Sequence, residues 1–262
     1  MEWRNIILRI SVVVTTYNGK MHLEKQLLSL LQQERAPDEV LIFDDGSTDG
    51  TIELVQSFIR KNCLESWQFY VNAKRKGWKQ NFMEGLRKAA GDILFPCDQD
   101  DIWYPKKLAE MTAVMEQHPE IKLLACDYRV LYEPGAIKAT VYKKTPAETQ
   151  GLITRYGFTK HFFMNPYPGC TYAVRRDFFD AVKELWFDGS PHDEFLWLMA
   201  AVQDGAWFYN RVLMDYVRYS DNASGVRYKD VALQKENLRY IHKQLCALQS
   251  FAAEHPDAVP VE

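Results

Sequence analysis

The sequence predicts an α/β fold, a mostly parallel sheet with helices on both faces, on three observations. Short β-branched runs alternate with segments of helical periodicity through residues 1–130, and that alternation requires crossover connections between parallel strands. The ends of those runs are polar and rich in hydrogen-bonding groups, as expected where a parallel sheet presents its site at the carboxyl ends of its strands. At 262 residues, 47% hydrophobic and 26% charged, with 13 glycines and 11 prolines, the chain can bury a full core, and disordered, collagen-like and low-complexity classes are excluded.

Each element follows in order. Ile10 to Thr16 is a β-branched run that Asn18-Gly19 breaks before Leu23, Leu27, Leu28, Leu30 and Leu31 recur at helical spacing, so strand, turn and helix succeed one another. Glu39 to Phe43 reads as a second strand, Asp44 to Gly50 as a polar loop, and Thr51 to Arg60 as a helix with Ile52, Val55, Phe58 and Ile59 on its apolar side. Trp67 to Val71 is a third strand, followed by a helix from Lys79 to Ala90. Ile93 to Cys97 is a fourth, ending in Asp98-Gln99-Asp100-Asp101, with a helix expected over Trp103 to Met115.

Beyond Leu131 the alternation weakens. Residues 133 to 170 carry Pro134, Pro146, Pro166 and Pro168 and read as a loop-rich, substrate-facing wall. Tyr172 to Arg175 re-enters the sheet, His192 to Val202 is a helix, and two short strands follow at Ala206 to Tyr209 and Val212 to Val217. From Lys229 to Ala253, Val231, Leu238, Ile241, Leu245 and Leu248 stand at helical spacing. That helix either packs on its own domain or offers a homodimer face or a membrane-surface face. The length allows one large domain or two small ones. With no repeat and no linker in the sequence, residues 1–130 and 131–262 are read as two halves of a single domain over 1–262.

Lys and Arg number 32 against 35 Asp and Glu, a net charge of −3, so no global positive field draws the chain to nucleic acid. Its five cysteines are widely spaced with no C-x-x-C, which points to reduced thiols in a cytoplasmic protein and to no cysteine-ligated zinc. The apolar stretch Ile6 to Val14 is interrupted by Arg9 and Ser11, too short to span a bilayer and poor as a signal peptide. Any membrane association is expected to be peripheral.

Three carboxylates crowd the fourth strand's exit at Asp98, Asp100 and Asp101, an arrangement that repels itself unless a cation neutralises it. Hard oxygen ligands suit Mg²⁺ or Mn²⁺. The alternative is an acidic helix N-terminus, where carboxylates cap free N–H groups. Asp44 to Gly50 resembles a calcium loop until position twelve, counted from Asp45, which is Gln56 rather than a bidentate glutamate, so an EF-hand is rejected. Thr48 and Asp49 serve as caps for the helix at Thr51, leaving Asp45 free for ligand. Neither G-x-G-x-x-G nor G-x-x-x-x-G-K-[ST] occurs, nor G-x-S-x-G or H-E-x-x-H, so a classical dinucleotide site, a P-loop, a nucleophile elbow and a zincin helix are unsupported.

Three ordered motifs then carry a resemblance: Ser11-Val12-Val13-Val14-Thr15-Thr16-Tyr17-Asn18, Asp44-Asp45-Gly46-Ser47-Thr48-Asp49, and Cys97-Asp98-Gln99-Asp100-Asp101-Ile102-Trp103. Together they resemble family 2 glycosyltransferases of the GT-A fold, with its Rossmann-like sheet, over most of residues 1–130. The third motif looks most like the bacterial rhamnosyltransferase-like branch. The resemblance implies a nucleotide-sugar half in 1–130 and an acceptor half, with the C-terminal helix, in 131–262. It implies that Thr15, Tyr17 and Asp45 hold base and ribose, with Lys76 and Asn81 near the nucleotide. It makes Asp98 and Asp100 the D-x-D element, Asp98 toward sugar or ribose and Asp100 toward the metal. His192-Asp193-Glu194 falls where the family places its catalytic base, so Asp193 is the implied base, with helix capping as its alternative and His192 as its expected hydrogen-bond donor. Relatives often carry a metal-binding histidine before an Asn-x-Ser-Gly stretch, where this sequence has Tyr219; water or Asp221 is expected to complete the shell.

What the resemblance implies is an inverting, metal-dependent hexosyltransferase with a UDP- or dTDP-sugar donor and a glycan or lipid-linked glycan acceptor, working on bacterial surface polysaccharide at the cytoplasmic face of a membrane. Asp193 would deprotonate the acceptor hydroxyl. Trp103, Tyr104, Trp186, Phe187, Trp197, Trp207 and His161-Phe162-Phe163 are candidate sugar-stacking faces, with at most one of Phe195 and Trp197 turned to the site. The alternatives are a sugar transferase acting on polyprenyl phosphate, which needs no carboxylate base, and a non-catalytic sugar-nucleotide or glycan-binding domain.

Overall fold

The computed structural model describes residues 7–136, 149–156, 165, 167–220 and 231–255. The N-terminal half builds β1 (Ile10–Thr16), α1 (Lys20–Leu31), β2 (Glu39–Asp44), α2 (Thr51–Lys61), β3 (Trp67–Val71), α3 (Trp78–Lys88) and β4 (Ile93–Cys97). There follow β5 (Ile102–Trp103), α4 (Lys107–Gln117), β6 (Leu123–Tyr132), β7 (Ile153–Arg155), β8 (Tyr172–Arg175), α5 (Arg176–Val182), α6 (His192–Val202), β9 (Ala206–Arg218) and α7 (Val231–Glu254).

A single sheet runs in the order β3-β2-β1-β4-β8-β6-β9-β5, with β7 also on β9. The β3-β2-β1-β4 block is wholly parallel. β8 enters antiparallel to both β4 and β6, so the second half of the sheet is mixed.

Alternation along β1 sorts the core onto two faces. Val13 packs with Leu41, Phe43 and Leu94 beneath α3 and α6, whereas Ile10, Val12 and Val14 pack with Val40, Ile42 and Phe95 beneath α1, α2 and α4. Every residue of β1 is buried, as a central parallel strand covered on both faces requires.

Two elements differ from the sequence reading. The helix expected from Trp103 begins only at Lys107, because Ile102 and Trp103 pair antiparallel with Asp215 and Met214 of β9 and Pro105 holds Tyr104 out of helical geometry. The two short strands expected after α6 are one 13-residue strand. Its pairing with β6 shifts register between Cys126 and Arg129, and irregularities of this kind bend a strand without ending it. The expected wall at 133–170 contributes β7 and a turn at Gly169–Thr171; His161-Phe162-Phe163 and Asp221 lie outside the described residues.

Candidate active site

A cleft of about 510 Å³ opens at the carboxyl ends of β1, β2 and β4, facing the start of α6. Thr15, Tyr17, Asp45, Asn81, Asp98, Asp100 and Asp193 all line it. These seven were expected together from motifs up to 178 residues apart, and the crossover topology brings them to one rim. Lys76 is arranged differently: its ammonium pairs with Glu84, while its backbone N–H donates to Asp45.

The β2 end divides two adjacent aspartates between different tasks. Asp44 is fully buried and accepts hydrogen bonds from the Gly46 and Ser47 N–H groups at 3.0 and 2.7 Å and from the Ser47 and Thr16 hydroxyls at 2.6 and 2.7 Å. It ties the loop to β1. The N-cap position of α2 is Gly50, with no side-chain cap, so neither Thr48 nor Asp49 is the cap expected from sequence; Asp49 accepts instead from the N–H and hydroxyl of Thr51, the first residue of the helix. Asp45 is no cap, as the sequence suggested, but its carboxylate is engaged: it accepts the Lys76 and Gly77 N–H groups at 2.8 Å and the Asn72 amide at 3.1 Å. Gly77 sits at φ +86°, a conformation that favours glycine. Asn81, buried, donates to the Phe43 carbonyl at 2.9 Å and accepts from Asn72. The guanidinium of Arg75, rather than the side chain of Lys76, reaches the cleft, lying 3.9 Å over the Tyr17 ring.

At the β4 end the carboxylates are crowded and poorly solvated. Burial, reinforced by the charges of Asp100 and Asp193, pushes Asp98 up to about 7. Burial raises Asp100 too, opposed by a hydrogen bond from the Tyr219 hydroxyl at 2.8 Å. Asp101 is raised well above the usual range by burial and then by both neighbours. It accepts the Val217 N–H, and among the described residues its Oδ2 has no hydrogen-bond partner. The buried cation close by is Lys107, which donates to the Cys170 carbonyl and lies 3.7 Å over the Trp103 ring.

This donor set fits a hard divalent cation. Oxygens dominate it, and the upward shifts of Asp98 and Asp101 come first from burial and then from the mutual repulsion of the carboxylates, which a bound cation would relieve. Cys170 Sγ stands within 4.8 Å of the ligand oxygens of Asp98 and Asp101, and burial first, then those carboxylates, pushes its thiol up. Asp100, the metal ligand that the resemblance implied, is not one of that group of three.

Asp193 occupies the first turn of α6. Burial raises its pKa, while the Glu194 and Gly169 N–H groups favour the ionised form. The Glu194 bond is 2.9 Å long. His192 is not the donor expected from sequence. Its ring stacks on Phe82 with centroids 4.0 Å apart and meets Trp78 edge-on. Burial lowers its pKa to about 3, so it is a neutral packing group. Among the aromatic candidates, Trp103 and Trp197 are core residues, and Phe195 and Trp197 are both buried away from the cleft. Besides Arg75, sequence reasoning missed Trp78, 43% exposed and part of the cleft lining. Its placement after Gly77, at the first turn of α3, was the available signal.

Comparison with known proteins follows the same lines. Residues 11–180 match the family model described as glycosyl transferase family 2. The dTDP-rhamnosyl transferase RfbG of Shigella flexneri is 24% identical over 228 residues, covering 81% of this chain and 73% of that protein. Residues 1–349 of Staphylococcus aureus TarS, solved with UDP-GlcNAc, superimpose with a TM-score of 0.65 at 18% identity, covering 84% of this chain and 62% of that one. The mannosyltransferase PcManGT of Pyrobaculum calidifontis, solved with GDP-Man and Mn²⁺, gives 0.56 at 19% identity, covering 84% and 59%. The chain therefore spans about three fifths of these solved neighbours, whose likeness shows a shared fold.

Proposed function

The chain belongs to glycosyl transferase family 2, and from that premise we propose that it is an inverting, metal-dependent hexosyltransferase moving a sugar from a nucleoside diphosphate to an acceptor hydroxyl. The observation that carries the reading is the meeting in one cleft of Asp98 and Asp100 from the β4 end with Asp193 from α6. One group of carboxylates suits a leaving diphosphate with its cation, and the other suits a proton acceptor.

Asp193 takes the proton from the acceptor hydroxyl as that oxygen attacks the anomeric carbon. Attack opposite the leaving diphosphate inverts the anomeric centre, through a transition state with oxocarbenium character. A divalent cation bound at Asp100, with Asp98 beside it, would supply Lewis-acid stabilisation of the diphosphate. Tyr17, Asp45 and the Arg75 guanidinium hold the base and ribose, with Thr15 and Asn81 completing that end. The exposed face of Trp78 offers a stacking surface for a sugar ring. The name of RfbG supports a dTDP-sugar, rhamnose first, as the donor to test, and UDP-sugars are next. The acceptor is a glycan or lipid-linked glycan of a bacterial surface polysaccharide, met at the cytoplasmic side of a membrane. Among the described residues no helix is long and apolar enough to cross a membrane.

The test is a thermal-shift series with UDP, dTDP, GDP and their sugars, with and without Mn²⁺, since a ligand that binds only the native state raises the melting temperature. A pyrimidine diphosphate should stabilise the chain, and Mn²⁺ should enlarge the effect. Slow Mn²⁺-dependent hydrolysis of the matching sugar nucleotide should follow. Stabilisation with no turnover toward any acceptor or water would instead mark a binding domain.

A second expectation concerns Gly169. A Cβ there would collide with the His192 ring and come within 3.0 Å of the Asp193 Cβ. Gly169→Ala should cost about 1–3 kcal/mol of stability by overpacking. It should also lower turnover by moving Asp193, with nucleotide affinity retained, as melting curves and initial rates would show.

A further inference from the structure

The acidic end of the cleft contains a polar chain that the proposed chemistry does not use. Gln99, between Asp98 and Asp100, turns its amide back onto the backbone of Tyr17. Its Oε1 accepts the Tyr17 N–H at 2.9 Å and its Nε2 donates to the Tyr17 carbonyl at 3.3 Å. Gly19 packs so closely against this amide that a Cβ at that position would collide with it. Gln99 also lies close enough to Tyr219 to bear on its hydroxyl, which donates to Asp100 Oδ2 at 2.8 Å. The Tyr219 ring is supported in turn by the His22 ring, with centroids 4.3 Å apart and planes 22° from parallel. Turning Tyr219 away would therefore break the hydrogen bond to Asp100 and the ring stack together. A carboxylate with one oxygen committed to a fixed donor presents its remaining lone pairs in a fixed direction, which is how outer partners orient the ligands of a metal site.

We propose that Tyr219 is a positioning residue for Asp100 and that Gln99 joins it to the nucleotide-facing backbone at Tyr17, so that the cation and nucleotide ends of the cleft are held in register. The inference rests on the cation and nucleotide reading above. In it Tyr219 aims a ligand instead of being one. The phenol's proton is already directed at Asp100, and its oxygen is placed by the ring stack.

The test measures binding on the full chain: Mn²⁺ by electron paramagnetic resonance of the free ion, and UDP by calorimetry with Mn²⁺ or with EDTA. Tyr219→Phe should weaken Mn²⁺ about tenfold, within the range for lost outer partners, and leave UDP affinity in EDTA unchanged. Gln99→Ala should weaken both ligands, because it releases Tyr17 as well as Tyr219. Tyr219→His keeps a ring to stack and an N–H to donate, and should retain Mn²⁺ at least as well as the parent. Unaltered Mn²⁺ affinity in Tyr219→Phe would overturn the proposal, as would equal losses in Tyr219→Phe and Tyr219→His, which would point to packing alone. If the parent chain takes up no Mn²⁺, with or without UDP, the cation reading itself falls, and this inference with it.

Discussion

Asp193→Asn should lower turnover about a thousandfold, within the 10²–10⁴ that a positioned general base supplies, while nucleotide affinity stays at the parental level. The amide keeps the shape of the carboxylate and can still accept the Glu194 N–H that Asp193 accepts at 2.9 Å, so α6 should begin as before. What disappears is the capacity to hold a proton. The parent's pH profile gives the matching signature. Burial raises the pKa of Asp193 from its ordinary value, and the base works only when ionised. The rate kcat/KM should therefore climb with pH along a limb displaced upward from that of an exposed aspartate. Measured at saturating Mn²⁺, which displaces protons from Asp98 and Asp100, that limb should vanish in Asp193→Asn. Turnover unaffected by the substitution would direct attention to an acceptor that is already anionic, such as a polyprenyl phosphate.

Asp44→Ala should be the most damaging single change to stability. It strips the acceptor from two backbone N–H groups and two hydroxyls that converge on a fully buried carboxylate. Buried donors left without partners cost about 1–3 kcal/mol each before relaxation. Water entering the cavity will satisfy some of them, so a net loss of about 3 kcal/mol is expected. For a chain of this size that lowers the melting temperature by about 6–12 °C. The loop that carries Asp45 should loosen with it, so nucleotide affinity falls even though Asp44 is absent from the cleft lining. A melting temperature within 2 °C of the parent, with unchanged UDP affinity, would contradict this account of the β2 end.

How much of this was legible in the sequence depended on whether a local signal existed. β1 and β4 begin and end where their apolar runs do, because a strand buried on both faces must be apolar throughout and its polar stops are unambiguous; β3, β8 and α6 also fall on their expected bounds. β5 was illegible: two residues have no periodicity, and Ile102 and Trp103 become a strand only because β9 lies alongside. β9 itself looked like two strands, since Asn210 and Arg211 interrupt its pattern at a place where the ladder tolerates them. At the site, the aspartates were legible as charges too crowded to be idle. Their supporting groups were not. The Gln99 amide pairs with the backbone of Tyr17, a residue 82 positions away, and nothing in a glutamine between two aspartates announces that. His192 looked like a hydrogen-bond donor to Asp193 because it stands next to it in sequence; only its burial against Phe82 shows a ring that serves as packing.

The long strand β9 has a consequence for how copies of this molecule behave when crowded. Its 13 residues would make an inviting seam for another chain to knit onto, yet among the described residues that border carries two patches, β7 of three residues and β5 of two. Neither remnant is long enough to template a stranger's backbone, and brief border strands are a recognised defence against edge-to-edge association. The same stitching that completes the fold also hems it.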